Sequence, residues 1–115
     1  MTLADRPVYL RLRDEIAAMI LEGRIREGDA LPSVRAFAAE QGANPLTVAK
    51  AYQTFHEDGL VTVRRGVGMF VGEGAAERLR RTARARFLAD EWPGIARRIR
   101  QLAIDPAELI ARIPG

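Results

Sequence analysis

The side chains of this chain best suited to chemistry are hydrogen-bond donors and cations, with no obvious nucleophile or acid–base pair among them. Arg35, Asn44, Thr47 and Lys50 fall near the starts of two short helical patterns, and Arg64 and Arg65 stand just before Gly66-Val67-Gly68. Guanidinium, ammonium, amide and hydroxyl groups gathered in this way can donate to phosphate oxygens and to the edges of bases. Each has a plainer reading when taken alone: Arg35 or Lys50 as a solvated charge, Asn44 as a helix cap, Thr47 as a local hydrogen-bonding residue. The coincidence of Asn44, Thr47 and Lys50 at one helix start, with Arg35 on the helix before it, favours a nucleic-acid contact surface, bordered by Ser33 and Pro45. Two arginines beside a glycine hairpin likewise fit a contact to phosphate or to a minor groove better than an ordinary charged turn.

Other chemistries fare worse. Gly66-x-Gly68 invites a nucleotide-binding reading, but Val71 occupies the third glycine position of GxGxxG and no following βαβ unit is indicated. His56 is the one histidine, with Glu57 and Asp58 beside it, and there is no cysteine. That combination leaves few ways to hold a metal and excludes both disulfides and a thiol nucleophile. No pair of carboxylates is set out by a motif as acid and base, so neither an enzyme nor a bound cofactor is expected. Phe87 and Trp92 could line a cofactor site, yet aromatic residues at helical spacing more often pack in a core or an interface.

The contact residues need a scaffold, and residues 31–71 describe one. Ser33 can cap a helix that ends near Gln41, and Gly42 supplies a turn where left-handed backbone costs little. Asn44 caps a second helix, Pro45 sits at its first position, and Gly59 follows its last periodic residues. Leu60 to Val63 and Met69 to Val71 are short β-prone runs joined by Arg64-Arg65-Gly66-Val67-Gly68, which reads as a hairpin. Upstream, residues 7–22 carry Leu12, Ile16, Met19 and Ile20 at helical spacing, and Gly23 ends that helix. Val34, Phe37 and Ala38, then Val48, Ala51, Tyr52 and Phe55, supply inward faces. A mainly α fold follows: a winged helix-turn-helix, with the second helix of the motif presented to a groove of DNA.

With 115 residues, 48% of them hydrophobic, the chain has room for one domain and an appendage. Residues 1–73 are expected to form the winged domain and residues 74–115 a helical tail. The net charge of +3 is unevenly spread: the first part holds 9 basic and 10 acidic side chains, the tail 9 and 5. Charge alone therefore does not mark the first part as a DNA binder; local clusters must do so. In the tail, Leu79, Phe87, Leu88, Trp92, Ile95, Ile99 and Leu102 make an amphipathic stripe that is expected to form a dimer interface. Pro93 should kink or divide that helix, and Asp105-Pro106 opens a final one. The longest strictly apolar run, Ile16 to Leu21, is too short for a bilayer, and the N-terminus shows no basic stretch followed by an apolar one. A reducing cytoplasm is the expected location.

Residues 7–73 resemble the DNA-binding domain of GntR-type bacterial transcription regulators. The resemblance lies in Pro7-Val8-Tyr9, Leu31-Pro32-Ser33-Val34-Arg35, Asn44-Pro45 with Thr47-Val48, Ala51-Tyr52, Asp58-Gly59-Leu60-Val61, and Arg64-Arg65-Gly66-Val67-Gly68 with Phe70-Val71. The Asn-Pro helix start and a tail of about forty residues look like the YtrA subfamily. The resemblance implies a homodimeric repressor on an inverted-repeat operator, with the helix from Asn44 in the major groove and the wing near the adjacent minor groove. By position it implies contacts from Arg35, Asn44, Thr47, Arg65 and Gly66. Pro45 and Ala49 stand where much of the wider family has base-reading arginines, which implies a different way of reading the operator. A small-molecule effector between tail helices or subunits is compatible with this reading, and the rival class is a winged-helix protein-interaction module.

Overall fold

The computed structural model describes residues 6–115; the expectation about the N-terminus rests partly on the first five residues, which lie outside the described residues. The elements run α1 (Val8–Leu21), α2 (Val34–Gln41), α3 (Pro45–Glu57), β1 (Val61–Arg64), β2 (Gly68–Val71), α4 (Ala75–Arg86), α5 (Trp92–Gln101) and α6 (Pro106–Ala111). The chain divides into two compact units between Arg80 and Arg81. No helix among the described residues is long and apolar enough to cross a membrane.

The first unit is built around one apolar cluster. Leu12, Ile16 and Ile20 come from α1, Phe37 and Ala38 from α2, and Val48, Ala51, Tyr52 and Phe55 from α3. Phe37, Phe55, Ile16 and Val48 are wholly enclosed, and each contributes roughly 1.5–3 kcal/mol of burial. Met19 and Val34 lie at the margin, only partly covered. The α2–α3 turn follows from its residues: Gly42 adopts φ 62°, a left-handed conformation in which a side chain would be strained.

β1 and β2 pair antiparallel with Val61 opposite Val71 and Arg64 opposite Gly68. The loop before α2 adds to this hairpin, since Leu31 N–H donates to the Met69 carbonyl and Val71 N–H to the Asp29 carbonyl. Tyr52 holds the same loop from the other side. Its hydroxyl donates to the Pro32 carbonyl at 2.8 Å, and its ring stands tilted 6.1 Å from that of Phe37.

The division between units falls seven residues beyond Glu73, and the reason is local. The first turns of α4 pack onto the winged core through Ala75 and Leu79, the latter only 9% exposed. Leu79, expected on a dimer interface, is thus a core residue of the first unit. Arg78, on the same turns, donates to the carbonyls of Asp58 and Gly59 and so satisfies acceptors at the end of α3.

In the second unit, residues 87–91 form a single π-helical turn in which Trp92 N–H donates to the Phe87 carbonyl. Pro93 lacks a donor, and the widened turn just before it lets the helical path continue into α5 without a break. Ala103, at φ 53°, ends α5 with the Ile104 N–H bonded back to the Ile99 carbonyl. Asp105 then caps α6, its Oδ1 accepting from Ala107 N–H at 3.0 Å.

Candidate nucleic-acid interface

The start of α3 is built by its own sequence. Asn44 Oδ1 accepts from Leu46 N–H at 2.8 Å, Pro45 fills the first helical position, and the Asn44 carbonyl receives Thr47 N–H at 2.9 Å. With Val48, Ala51, Tyr52 and Phe55 turned inward, the opposite face presents Leu46, Ala49, Lys50 and Gln53 to solvent. Thr47 lies between the two faces and is partly covered. Capping engages one lone pair of the side-chain Oδ1 of Asn44, and its amide NH2 is left as a donor. Ser33 is similarly engaged, its Oγ accepting from Ala36 N–H at 3.1 Å to cap α2; the hydroxyl hydrogen remains to donate outward. Arg35, in the first turn of α2, is exposed and forms no salt bridge among the described residues.

The cations differ in how firmly they are held. The Lys50 ammonium stands 4.2 Å from the centroid of the Tyr9 ring, so α1 orients it. The Arg64 guanidinium lies 4.4 Å from the Phe70 ring on the facing strand. Arg65 projects from the hairpin tip with no such partner among the described residues. The tip itself closes by a bond from Val67 N–H to the Arg64 carbonyl, with Gly66 at φ 74° in the position where a type II turn needs positive φ. Gly68, at φ 147°, opens β2.

The turn-plus-wing arrangement brings distant parts of the sequence together. A shallow cleft of about 280 Å³ is lined by Pro32, Ser33 and Val34 at the start of α2, by Tyr52, and by Val67, Gly68 and Met69 of the wing. The wing and the start of α2 thus border one depression in the same unit. The Tyr52 hydroxyl at its base has a raised pKa, because it is buried and, to a lesser degree, because the Glu40 carboxylate opposes its ionisation.

The positioning roles of several residues are not legible in the motifs. Arg13 rests 4.7 Å from the Phe55 ring and pairs with Asp58 at 2.7 Å, while Tyr9 steers Lys50 and Arg78 fastens the end of α3. His56 is exposed on the back half of α3. The helical-spacing rule marks the faces these residues occupy, but their partners lie on other elements.

Residues 8–71 match the model of the bacterial regulatory proteins of the gntR family. The chain belongs to this family. It is 36% identical over 72 residues to the HTH-type transcriptional repressor YtrA of Bacillus subtilis, a match covering 63% of this chain and 55% of that protein. The chain spans little more than half the length of the curated relatives it matches. Among solved structures, a GntR family transcriptional regulator from Listeria monocytogenes aligns over 93% of this chain and 92% of its own, with TM-score 0.72 and 26% identity. The AraR(DBD) in complex with operator ORX1 aligns over 63% of this chain and 87% of its own, with TM-score 0.58 and 25% identity. These likenesses give the arrangement of α2, α3 and the hairpin its frame of reference: a winged helix of the gntR family, YtrA-like in sequence.

Proposed function

We propose that this gntR-family protein is a DNA-binding transcriptional regulator, a homodimeric repressor that occupies an inverted-repeat operator. The observation that carries the reading is the exposed, Asn44-capped start of α3 in one unit with a basic glycine hairpin that borders the start of α2. In this reading α3 enters the major groove, with Arg35, Asn44 and Thr47 on phosphates and base edges and Ser33, Pro45 and Lys50 at its border. Arg64, Arg65, Gly66 and Gly68 bring the wing to the backbone or the adjacent minor groove. The relative YtrA is a repressor and AraR(DBD) binds an operator, and both support the same assignment.

Dimerisation belongs to the second unit. Phe87, Leu88, Trp92, Ile95 and Leu102 are each two-fifths or more exposed, and Ile99 is partly covered within the same stripe. Leu88, Trp92, Ile95, Ile99 and Leu102 alternate spacings of four and three, the pattern of a helix seam that a second helix covers. A second copy of this chain is the simplest partner for it, and two copies would match the two-fold symmetry of an inverted repeat. The absence of cysteine fits action in the cytoplasm.

Selection of binding sites from random duplex DNA by the intact protein tests palindromy and half-site spacing together. The expected result is an inverted repeat whose half-sites lie about 10 base pairs apart or a multiple of that. Affinity for it should fall steeply with salt, with a log–log slope of several units. Failure to enrich any sequence, together with salt-indifferent binding, would move the fold to the class of protein-interaction modules.

A further inference from the structure

The outward stripe of α3 limits how this helix can tell one base pair from another. Its N-terminal end carries Pro45, Leu46 and Ala49, none of which has a side-chain donor or acceptor. Of the polar groups around them, Asn44 Oδ1 is engaged with Leu46 N–H and the Lys50 ammonium with the Tyr9 ring, which leaves the Asn44 amide nitrogen and the Thr47 hydroxyl as the donors beside this apolar surface. Leu46 itself is 80% exposed and contributes nothing to the core. It stands directly opposite the buried Val48–Phe55 face, at the end of the helix nearest the turn.

In a major groove, the base feature that an aliphatic side chain distinguishes is the 5-methyl group of thymine. We propose that Leu46, with Ala49 one turn further on, reads thymine methyl groups in each operator half-site, so that the leading end of α3 specifies A·T pairs by apolar contact. The three-residue offset between them advances about 4.5 Å along the helix axis, close to the roughly 3.4 Å step between stacked bases, so the two side chains can address neighbouring pairs. This inference rests on the DNA-binding reading above and adds to it the identity of the bases and the atoms that discriminate them.

Deoxyuridine in place of thymidine removes the methyl group and leaves every hydrogen-bonding group of the base in place. The duplex selected by the intact protein is therefore titrated with and without this replacement at each half-site thymine, against wild type and Leu46→Ala, at one salt concentration. An unrelated duplex is measured beside it. The variant removes an exposed side chain, and an unchanged melting temperature confirms that it folds. The expected result is that uracil at one or more half-site positions weakens wild-type binding by about fourfold per methyl. Leu46→Ala should lose the penalty at the position Leu46 reads and keep any penalty at the neighbouring position read by Ala49, and the unrelated duplex should bind both proteins alike. A selected half-site without thymine, full-strength wild-type binding to the uracil duplex, or uracil penalties in Leu46→Ala equal to those of wild type at every position overturn the inference. Failure of the wild-type protein to bind any duplex, even at low salt, would overturn the DNA-binding reading itself.

Discussion

At the scale of single residues, the first unit separates side chains that hold the fold from side chains left facing solvent. Arg35 is exposed and Thr47 only partly covered; neither lies in the apolar cluster, and each sits on an early turn of a helix at the proposed interface. Replacing either by alanine should keep stability within about 0.5 kcal/mol of wild type while weakening operator binding by roughly 1–3 kcal/mol. Titration at fixed salt measures this, and unchanged affinity in both variants would remove them from the site. Tyr52 belongs to the first group. Its hydroxyl donates to Pro32, and its raised pKa means that the folded state keeps a proton which the unfolded chain releases near pH 10. The stability this contributes is complete below about pH 10 and declines as pH rises from there toward the folded pKa. Tyr52→Phe should therefore cost about 1 kcal/mol at neutral pH through removal of the hydrogen bond. It should also lose stability less steeply than wild type when denaturant midpoints are compared between pH 9 and 11. Parallel alkaline profiles would show that Tyr52 is not the group responsible.

At the scale of elements, the wing is a short hairpin whose charge is split between a held arginine and a projecting one. Arg64 is stacked on Phe70 and Arg65 is not, so the two should differ in kind. The double replacement by alanine should lower affinity for operator and unrelated duplexes by similar factors, and should flatten the salt slope by about one unit for each phosphate that the wing no longer neutralises. A deficit confined to one base position would mean direct readout, and undiminished affinity would leave the hairpin a structural role. Features written in neighbouring residues are legible in the sequence: the caps at Ser33, Asn44 and Asp105, the left-handed Gly42, the glycine turn of the wing. Each depends on interactions within a few positions of the chain. Features that join distant positions are not. The ladder from residues 29–31 to β2 is too short to show a period, and Arg78 reaches carbonyls 19 and 20 positions away. For the candidate site, residue types and their helical face can be read from the sequence, whereas the Tyr9 and Phe70 rings that orient Lys50 and Arg64 cannot. Pro93 shows a third case: the sequence predicts a disruption, and the backbone absorbs it in one widened turn.

At the scale of the whole molecule, the question is what covers the apolar stripe of the second unit. Trp92 is 43% exposed and Ile95 40% exposed, and side chains of this size left in water along one helical seam favour association. The requirement from DNA points the same way. Two recognition helices must lie about 34 Å apart to meet successive major grooves on one face of a duplex, and a single chain carries one such helix. Removing the tail after Glu73 would be a poor test, because Ala75, Arg78 and Leu79 belong to the winged unit and would be removed with it. The pair Trp92→Glu and Ile95→Glu, made together in the intact chain, leaves that unit's core untouched and places two charges on the seam. This variant should sediment as a monomer at concentrations where the wild type is a dimer, and should keep its helical circular dichroism. It should also lose its preference for an inverted repeat over a single half-site, while its affinity for the half-site changes little. A variant that still dimerises and still prefers the full repeat would mean that the stripe serves another partner and that the pairing of recognition helices arises elsewhere in the chain.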